Sequence, residues 1–256
     1  GPDALAEFER LVNADDWNEP PMHVVEPPPW DATATAALRA LLERLRGQNR
    51  ATCDTRKTEV DAAYAGRDRA WWAKRFANAM RGTAPPLRVL AVTSRFTTVL
   101  QYTTRDALAA LEQLGCQTRF LIEPTDDARV TPRRWLETLR AFAPDLVLLV
   151  DHTRASGSLP AEVPVLTWVQ DRLPWLFKPA TGASLGPLDF CLGLSRDELV
   201  HQCGYPSERF LRADMPASTA LGGSDTDSAA QTSPPASVAP TSPPGVVGWA
   251  SPPAAD

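Results

Sequence analysis

A chain of 256 residues that sets 31 Asp and Glu against 26 Lys and Arg, for a net charge of −5, has no cationic stripe with which to release counterions from a phosphate backbone, so no nucleic-acid partner is expected. No apolar run approaches the ~20 residues that a membrane span needs. The length suffices for one good core, or one domain with appendages.

The opening GPDALAEFER carries neither a Met nor a charged-then-apolar leader, which predicts a cytoplasmic protein and reads Gly1 as the edge of a fragment. Cys53, Cys116, Cys191 and Cys203 form no CxxC, and the last two have no His-x-x-x-His partner. No metal site is expected, and the thiols read as small buried hydrophobes in a reducing compartment.

Residues 1–30 form a lead. A short helix over 3–13 would bury Leu5, Phe8 and Leu11, and the Pro-rich stretch 17–30 follows as an extended connector, because proline lacks the N–H a helix needs. His23 stands alone there and has a surface or packing role. Residues 31–82 are a helical extension. Asp31 is a plausible N-cap, Leu38, Leu41, Leu42 and Leu45 recur at helical spacing, and a weak break falls at 48–54. A second helix then carries Val60, Tyr64, Trp71, Phe76 and Met80 on one broad face and ends at Arg81-Gly82. The two runs pair as a hairpin or lie along the next domain. Trp71 and Trp72 suggest a sugar-stacking platform, but aromatics at this spacing more often pack.

From residue 83 to 216 the pattern alternates. Strands are expected at 87–92, 117–122, 146–150, 163–169 and 188–194, the first a continuous apolar run of the kind buried on both faces and the third the most apolar. A helix from Thr97 or Thr98 to Leu114 separates the first two. Another, opened by Thr131-Pro132, separates the second and third. Ser195 to Glu198 reads as a capping box for a last short helix. Five strands with intervening helices predict an α/β fold, a Rossmann-like doubly wound parallel sheet. Beyond 217 no Lys or Arg occurs and Ser-Pro-Pro recurs at 233, 242 and 251. Such sequence cannot bury enough apolar surface to offset its ordering entropy, so a disordered tail is expected. Its composition also fits a lost reading frame or a lost true end.

Each strand ends in a polar cluster, where open parallel sheets bind ligands. The first loop, TSRFTT, lacks the glycines of a dinucleotide site, which argues against NAD or FAD. It offers the hydroxyls of Ser94, Thr97 and Thr98, the Arg95 cation and helix amides, suited to a polyol, carboxylate or phosphate. Helix capping with one solvated Arg is the structural alternative. Asp151 and His152 follow the third strand as a candidate general-base pair, unless Asp151 merely caps the turn. Gln170 and Asp171 end the fourth strand, and Trp175 is either a stacking face or a core plug. No GxSxG, HExxH or P-loop is present.

The phrases TSRFTTVLQYTTRDALAALEQLG, TRFLIEP, FAPDLVLLVDHTR, VPVLTWVQDRLPWLF and LGPLDFCLGLS together resemble the amino-terminal half of bacterial GT-B-type glycosyltransferases of the CgeB-like, spore-maturation kind. The resemblance spans residues 87–215. It implies an acceptor-side domain, with no resident cofactor and a nucleotide-sugar donor as co-substrate. Ser94 to Gln101, Asp151, His152, Gln170 and Asp171 would line the acceptor side, with Asp151 or His152 as base toward an acceptor hydroxyl. Where a donor-binding domain would begin, the sequence turns into the Pro-rich tail, so a half with no transfer activity of its own is expected. The competing readings are a non-catalytic binding or scaffold module, pairing with itself or another chain through the helical extension, and another class of α/β enzyme, which the missing glycine loop weakens.

Overall fold

The computed structural model describes residues 32–97, 99–126, 128–157 and 159–213. The helix expected at 3–13, the connector with His23, the Asp31 cap, Thr98 and the tail lie outside the described residues.

Helix α1, Ala32–Tyr64, is one unbroken helix of 33 residues, about 50 Å long at 1.5 Å per residue. The break expected at 48–54 does not occur. Hydroxyls of Thr52, Thr55 and Thr58 donate to the carbonyls of Gln48, Ala51 and Asp54 at 3.0 Å, so these polar residues are satisfied inside the helix. The chain breaks instead at Gly66, whose φ of +80° suits glycine. It restarts at Asp68, whose carboxylate accepts the Trp71 N–H at 2.8 Å as N-cap of α2, Arg69–Met80.

That break resets the helical phase, which corrects the expected apolar face. Val60, Tyr64 and Trp72 are buried, whereas Trp71 and Met80 are exposed. Trp71 packs edge-on against Trp72 with ring centroids 4.6 Å apart. The end of α1 and α2 join the α/β core, in one cluster with Leu90, Val147, Leu149 and Val165. Three side chains anchor them there. The Tyr64 hydroxyl donates to the Pro144 carbonyl at 2.8 Å, the Trp72 indole to the Glu162 carbonyl at 2.6 Å, and Arg75 to Asp145.

The remaining elements are β1 Arg88–Val92, α3 Leu100–Gln113, β2 Gln117–Leu121, α4 Pro132–Phe142, β3 Leu146–Val150, β4 Val165–Val169, α5 Pro179–Ala183, β5 Asp189–Gly193, α6 Arg196–Cys203 and β6 Phe210–Arg212. All strand pairs are parallel, in the order β2-β1-β3-β4-β5-β6. The fold is therefore the expected Rossmann-like α/β sheet, with one strand more than the sequence pattern showed. Strand β6 is three residues with only Phe210 buried, too short for a periodic signal.

Helices lie on both faces, as an all-parallel sheet requires. Leu100 and Leu108 of α3 pack with Val89, Ala91, Leu148 and Val150 on one face. Trp135, Leu136 and Leu139 of α4 share the other with α1 and α2. Leu199 and Cys203 of α6 bury against Val169 and Cys191. Thr131 caps α4 as expected, accepting the Arg134 N–H at 3.2 Å ahead of Pro132. Helix α3 starts at Leu100, later than expected, because Thr97 turns its hydroxyl back onto the Ser94 carbonyl at 2.7 Å. The capping box at Ser195 does not form. Its hydroxyl caps nothing, and Glu198 is drawn instead to Arg172 at 2.5 Å.

Candidate functional site at the carboxyl edge of the sheet

From β1 the chain crosses to β2 on one side and returns to β3 on the other, so the strand order reverses between β1 and β3. In open α/β sheets the ligand crevice lies outside the carboxyl ends of strands at such a reversal. The loops that leave β1 and β3 carry Ser94, Arg95 and Thr97 on one side and Asp151 and His152 on the other. The loop after β4 adds Gln170, Asp171 and Trp175, one strand spacing of about 4.8 Å further along.

The β1 loop is tied by its own bonds. Glu123, buried just beyond β2, accepts the Ser94 hydroxyl at 3.1 Å on one oxygen and the Arg95 N–H at 2.8 Å on the other. The Arg95 guanidinium donates to the Glu123 carbonyl at 3.3 Å and pairs with Asp126 at 3.0 Å. Gln101 donates its amide to the carbonyls of Arg95 and Thr97 at 3.1 and 2.9 Å. An internal carboxylate thus sits where a bound anion would meet the loop. Ser94, Arg95, Thr97 and Gln101 are brought together, but with one another and Glu123. Sequence reasoning missed Glu123, whose single signal is its place in the polar cluster that ends β2.

The β3 loop is organised by Asp151. Its φ is +55°, a left-handed conformation that Asp tolerates better than most residues, and it is fully buried. Oδ1 accepts the N–H groups of Gln170 and Asp171 at 2.8 and 3.0 Å, and the Asp151 N–H donates to the Trp168 carbonyl at 2.9 Å. The carboxylate therefore clips the β3 and β4 loops together. Burial pushes its pKa above the ordinary carboxylate value, and the bonds from Asp171 and Gln170 pull the other way. Among the described residues Oδ2 has no hydrogen-bond partner, and neither has the Oε1 or Nε2 of Gln170, although all three atoms are buried. Such atoms are destabilising by about 1–3 kcal/mol each when nothing meets them.

His152 Nδ1 lies 3.0 Å from the Val150 carbonyl. With Nδ1 as the donor, the basic lone pair belongs to Nε2. Trp175 is half-exposed, 46%, yet held in place. Its indole N–H donates to the Asp151 carbonyl at 3.1 Å, and its ring centroid lies 6.3 Å from that of His152. Trp175 is thus a fixed aromatic face beside an imidazole rather than a core plug. The Asp171 side chain is exposed, and only its backbone joins the Asp151 clip.

No protein-family description, curated protein or solved structure matches the chain. Among the described residues no group of three or more His, Cys, Asp or Glu could hold a metal ion, and no helix is long and apolar enough to cross a membrane. What this edge offers is one imidazole, one aromatic face held on the Asp151 carbonyl, a carboxylate that ties the β3 and β4 loops, and buried polar atoms suited to hydroxyl groups.

Proposed function

We propose that the chain is the acceptor-side half of a GT-B-type glycosyltransferase, with the acceptor received at the carboxyl edge between β1, β3 and β4. The observation that carries this reading is the pair of His152 and Trp175 at that edge, one held on the Val150 carbonyl and the other on the Asp151 carbonyl. An indole face suits the apolar side of a sugar ring. An imidazole with Nε2 as its base suits removal of a hydroxyl proton. In the reaction, the acceptor oxygen bonds to the anomeric carbon of the donor sugar while the bond from that carbon to the nucleotide phosphate breaks. The hydroxyl proton passes to His152 Nε2 and then to solvent, and the nucleotide leaves with the bonding electrons. Asp151 acts as a positioning residue. It is buried, and its Oδ1 already serves two backbone amides.

The runner-up is a non-catalytic binding module. It is favoured by the β1 loop, whose hydroxyls and cation are already engaged within the protein. The two readings part on glycan binding and turnover. On the transferase reading, the purified chain binds members of a glycan panel, and Trp175→Ala weakens that binding about fivefold, the scale of one aromatic contact. Alone, it turns over none of a panel of nucleotide-sugars. Absence of any glycan binding defeats the reading, and turnover by the chain alone defeats the half-site form of it.

A further inference from the structure

The buried atoms of this edge that find no partner among the described residues lie together. Asp151 Oδ2 and both polar atoms of the Gln170 carboxamide belong to residues already joined by the 2.8 Å bond from the Gln170 N–H to Asp151 Oδ1. Together they hold two acceptor oxygens and one two-proton NH2 donor at the ends of adjacent strands. That set complements two neighbouring hydroxyls, each of which can donate one hydrogen bond and accept others. It is a poor match for an anion, whose negative oxygens would be set against the carboxyl and carboxamide oxygens with no cation among the described residues to balance them. The surrounding charge points the same way. Glu123 fills the amide cradle of the β1 loop, Asp171 is exposed beside Gln170, and Arg95 is held by Glu123 and Asp126. Of the other nearby cations, Arg172 is paired with Glu198 and Arg129 lies over the Phe96 ring.

We infer that Asp151 and Gln170 form the specificity pocket of this edge for a neutral polyol, taking two adjacent hydroxyls on Asp151 Oδ2 and the Gln170 carboxamide and refusing phosphates and carboxylates. The inference rests on the acceptor-side reading and names the class of acceptor. Both groups are covered in this arrangement. The hydroxyls reach them when the β3 and β4 loops part locally around Gln170, with Trp175 still seated on the Asp151 carbonyl.

The side-chain amide protons of Gln170, assigned by their loss in Gln170→Leu, report on the pocket directly by nuclear magnetic resonance. The whole chain is titrated with myo-inositol, glucose and mannose, and separately with inorganic phosphate and acetate. The expected result is that at least one neutral polyol shifts the Gln170 amide pair while phosphate and acetate do not. Asp151→Asn, which replaces an acceptor with a donor, should weaken that polyol about tenfold or more, the worth of a hydrogen bond to a charged group. Gln170→Leu, which keeps the backbone bonds to Asp151, provides the same test if Asp151→Asn does not fold. Equal shifts from phosphate overturn the inference, as does silence from every polyol. So does a long-lived water on the Gln170 amide that no polyol displaces. Polyol binding without transfer by any assembly containing the chain would leave the pocket standing and remove the transferase. Transfer without polyol binding here would do the reverse.

Discussion

Arg75 of α2 and Asp145 at the foot of β3 meet as two planar forks, Nε to Oδ1 at 3.1 Å and a terminal nitrogen to Oδ2 at 2.7 Å. The pair fastens the helical extension to the sheet. Asp145 Oδ2 also accepts the Arg88 N–H at 2.9 Å, and Arg75 donates to the carbonyls of Pro85 and Pro86. Both side chains are largely withdrawn from water, at 15% and 4% exposure, so removing one partner strands the other. Asp145→Ala is expected to lower unfolding stability by about 3 kcal/mol, read from urea denaturation. The double change Arg75→Met with Asp145→Leu should lose less than the sum of the single changes. Additive losses would show that the fork contributes nothing of its own.

Two glycines in helices should respond in opposite directions. Gly47 lies within α1, and a Cβ added there meets nothing within 4 Å. Gly47→Ala therefore removes backbone freedom from the unfolded chain without strain, and a gain of about 0.5–1 kcal/mol is expected. Gly182 lies in α5, where a Cβ would stand 1.9 Å from the Cys203 carbonyl oxygen at the end of α6. Backbone on both sides leaves nothing flexible to yield, so Gly182→Ala should lose about 3 kcal/mol or more. Thermal midpoints of the two variants, displaced to opposite sides of the parent, are the check.

How much of this was legible in the chain differs by level. The core strands were, because LVLLV and VLTWV are short apolar runs that only a sheet covered on both faces can bury. The end of α1 was misplaced for a physical reason. Residues 48–54 look polar enough for a loop, but Thr52 bonds back to the Gln48 carbonyl, and the stop signal is Gly66 with Asp68. At the site, the polar strand ends were readable by position. The bonds that define their roles were not, since Glu123 reaches Ser94 across 29 residues and Asp151 reaches Gln170 across 19. A propensity or a motif carries no record of such pairings.

The four thiols are all free, and burial ranks their reactivity. Cys191 lies in β5 with its pKa pushed up to about 12 by burial and the nearby Asp189, and Cys203 is buried at the end of α6. Burial also raises Cys116 and, with Asp54, Cys53, though both are only half-buried. In the native protein a disulfide reagent near pH 8 should reach Cys53 and Cys116 slowly and leave Cys191 and Cys203 untouched until denaturant is added, because the thiolate is the reacting form. Peptide mapping of the labelled sites decides it. Rapid native labelling of Cys191 would contradict the packing of β5 against α6.

Asp151 makes stability depend on pH in a defined direction. Its folded pKa is raised above the ordinary 3.8 by burial. Below that ordinary value the carboxyl is protonated in both states, and its full contribution to stability is present. As pH climbs through 3.8 toward the folded value, the unfolded chain ionises first, the folded carboxyl resists, and stability is lost until the folded group has titrated too. Asp151→Asn cannot titrate, keeps an oxygen for the Gln170 and Asp171 amides, and tolerates the left-handed backbone. Every other acid is common to both proteins, so the difference between their urea midpoints isolates this group. As pH rises from below the ordinary 3.8, the Asn variant should gain on the parent, and the gain should level off once the folded carboxyl has titrated. Parallel curves would mean that the carboxyl is as well solvated folded as unfolded, and that the clip holds its loops without desolvating its charge.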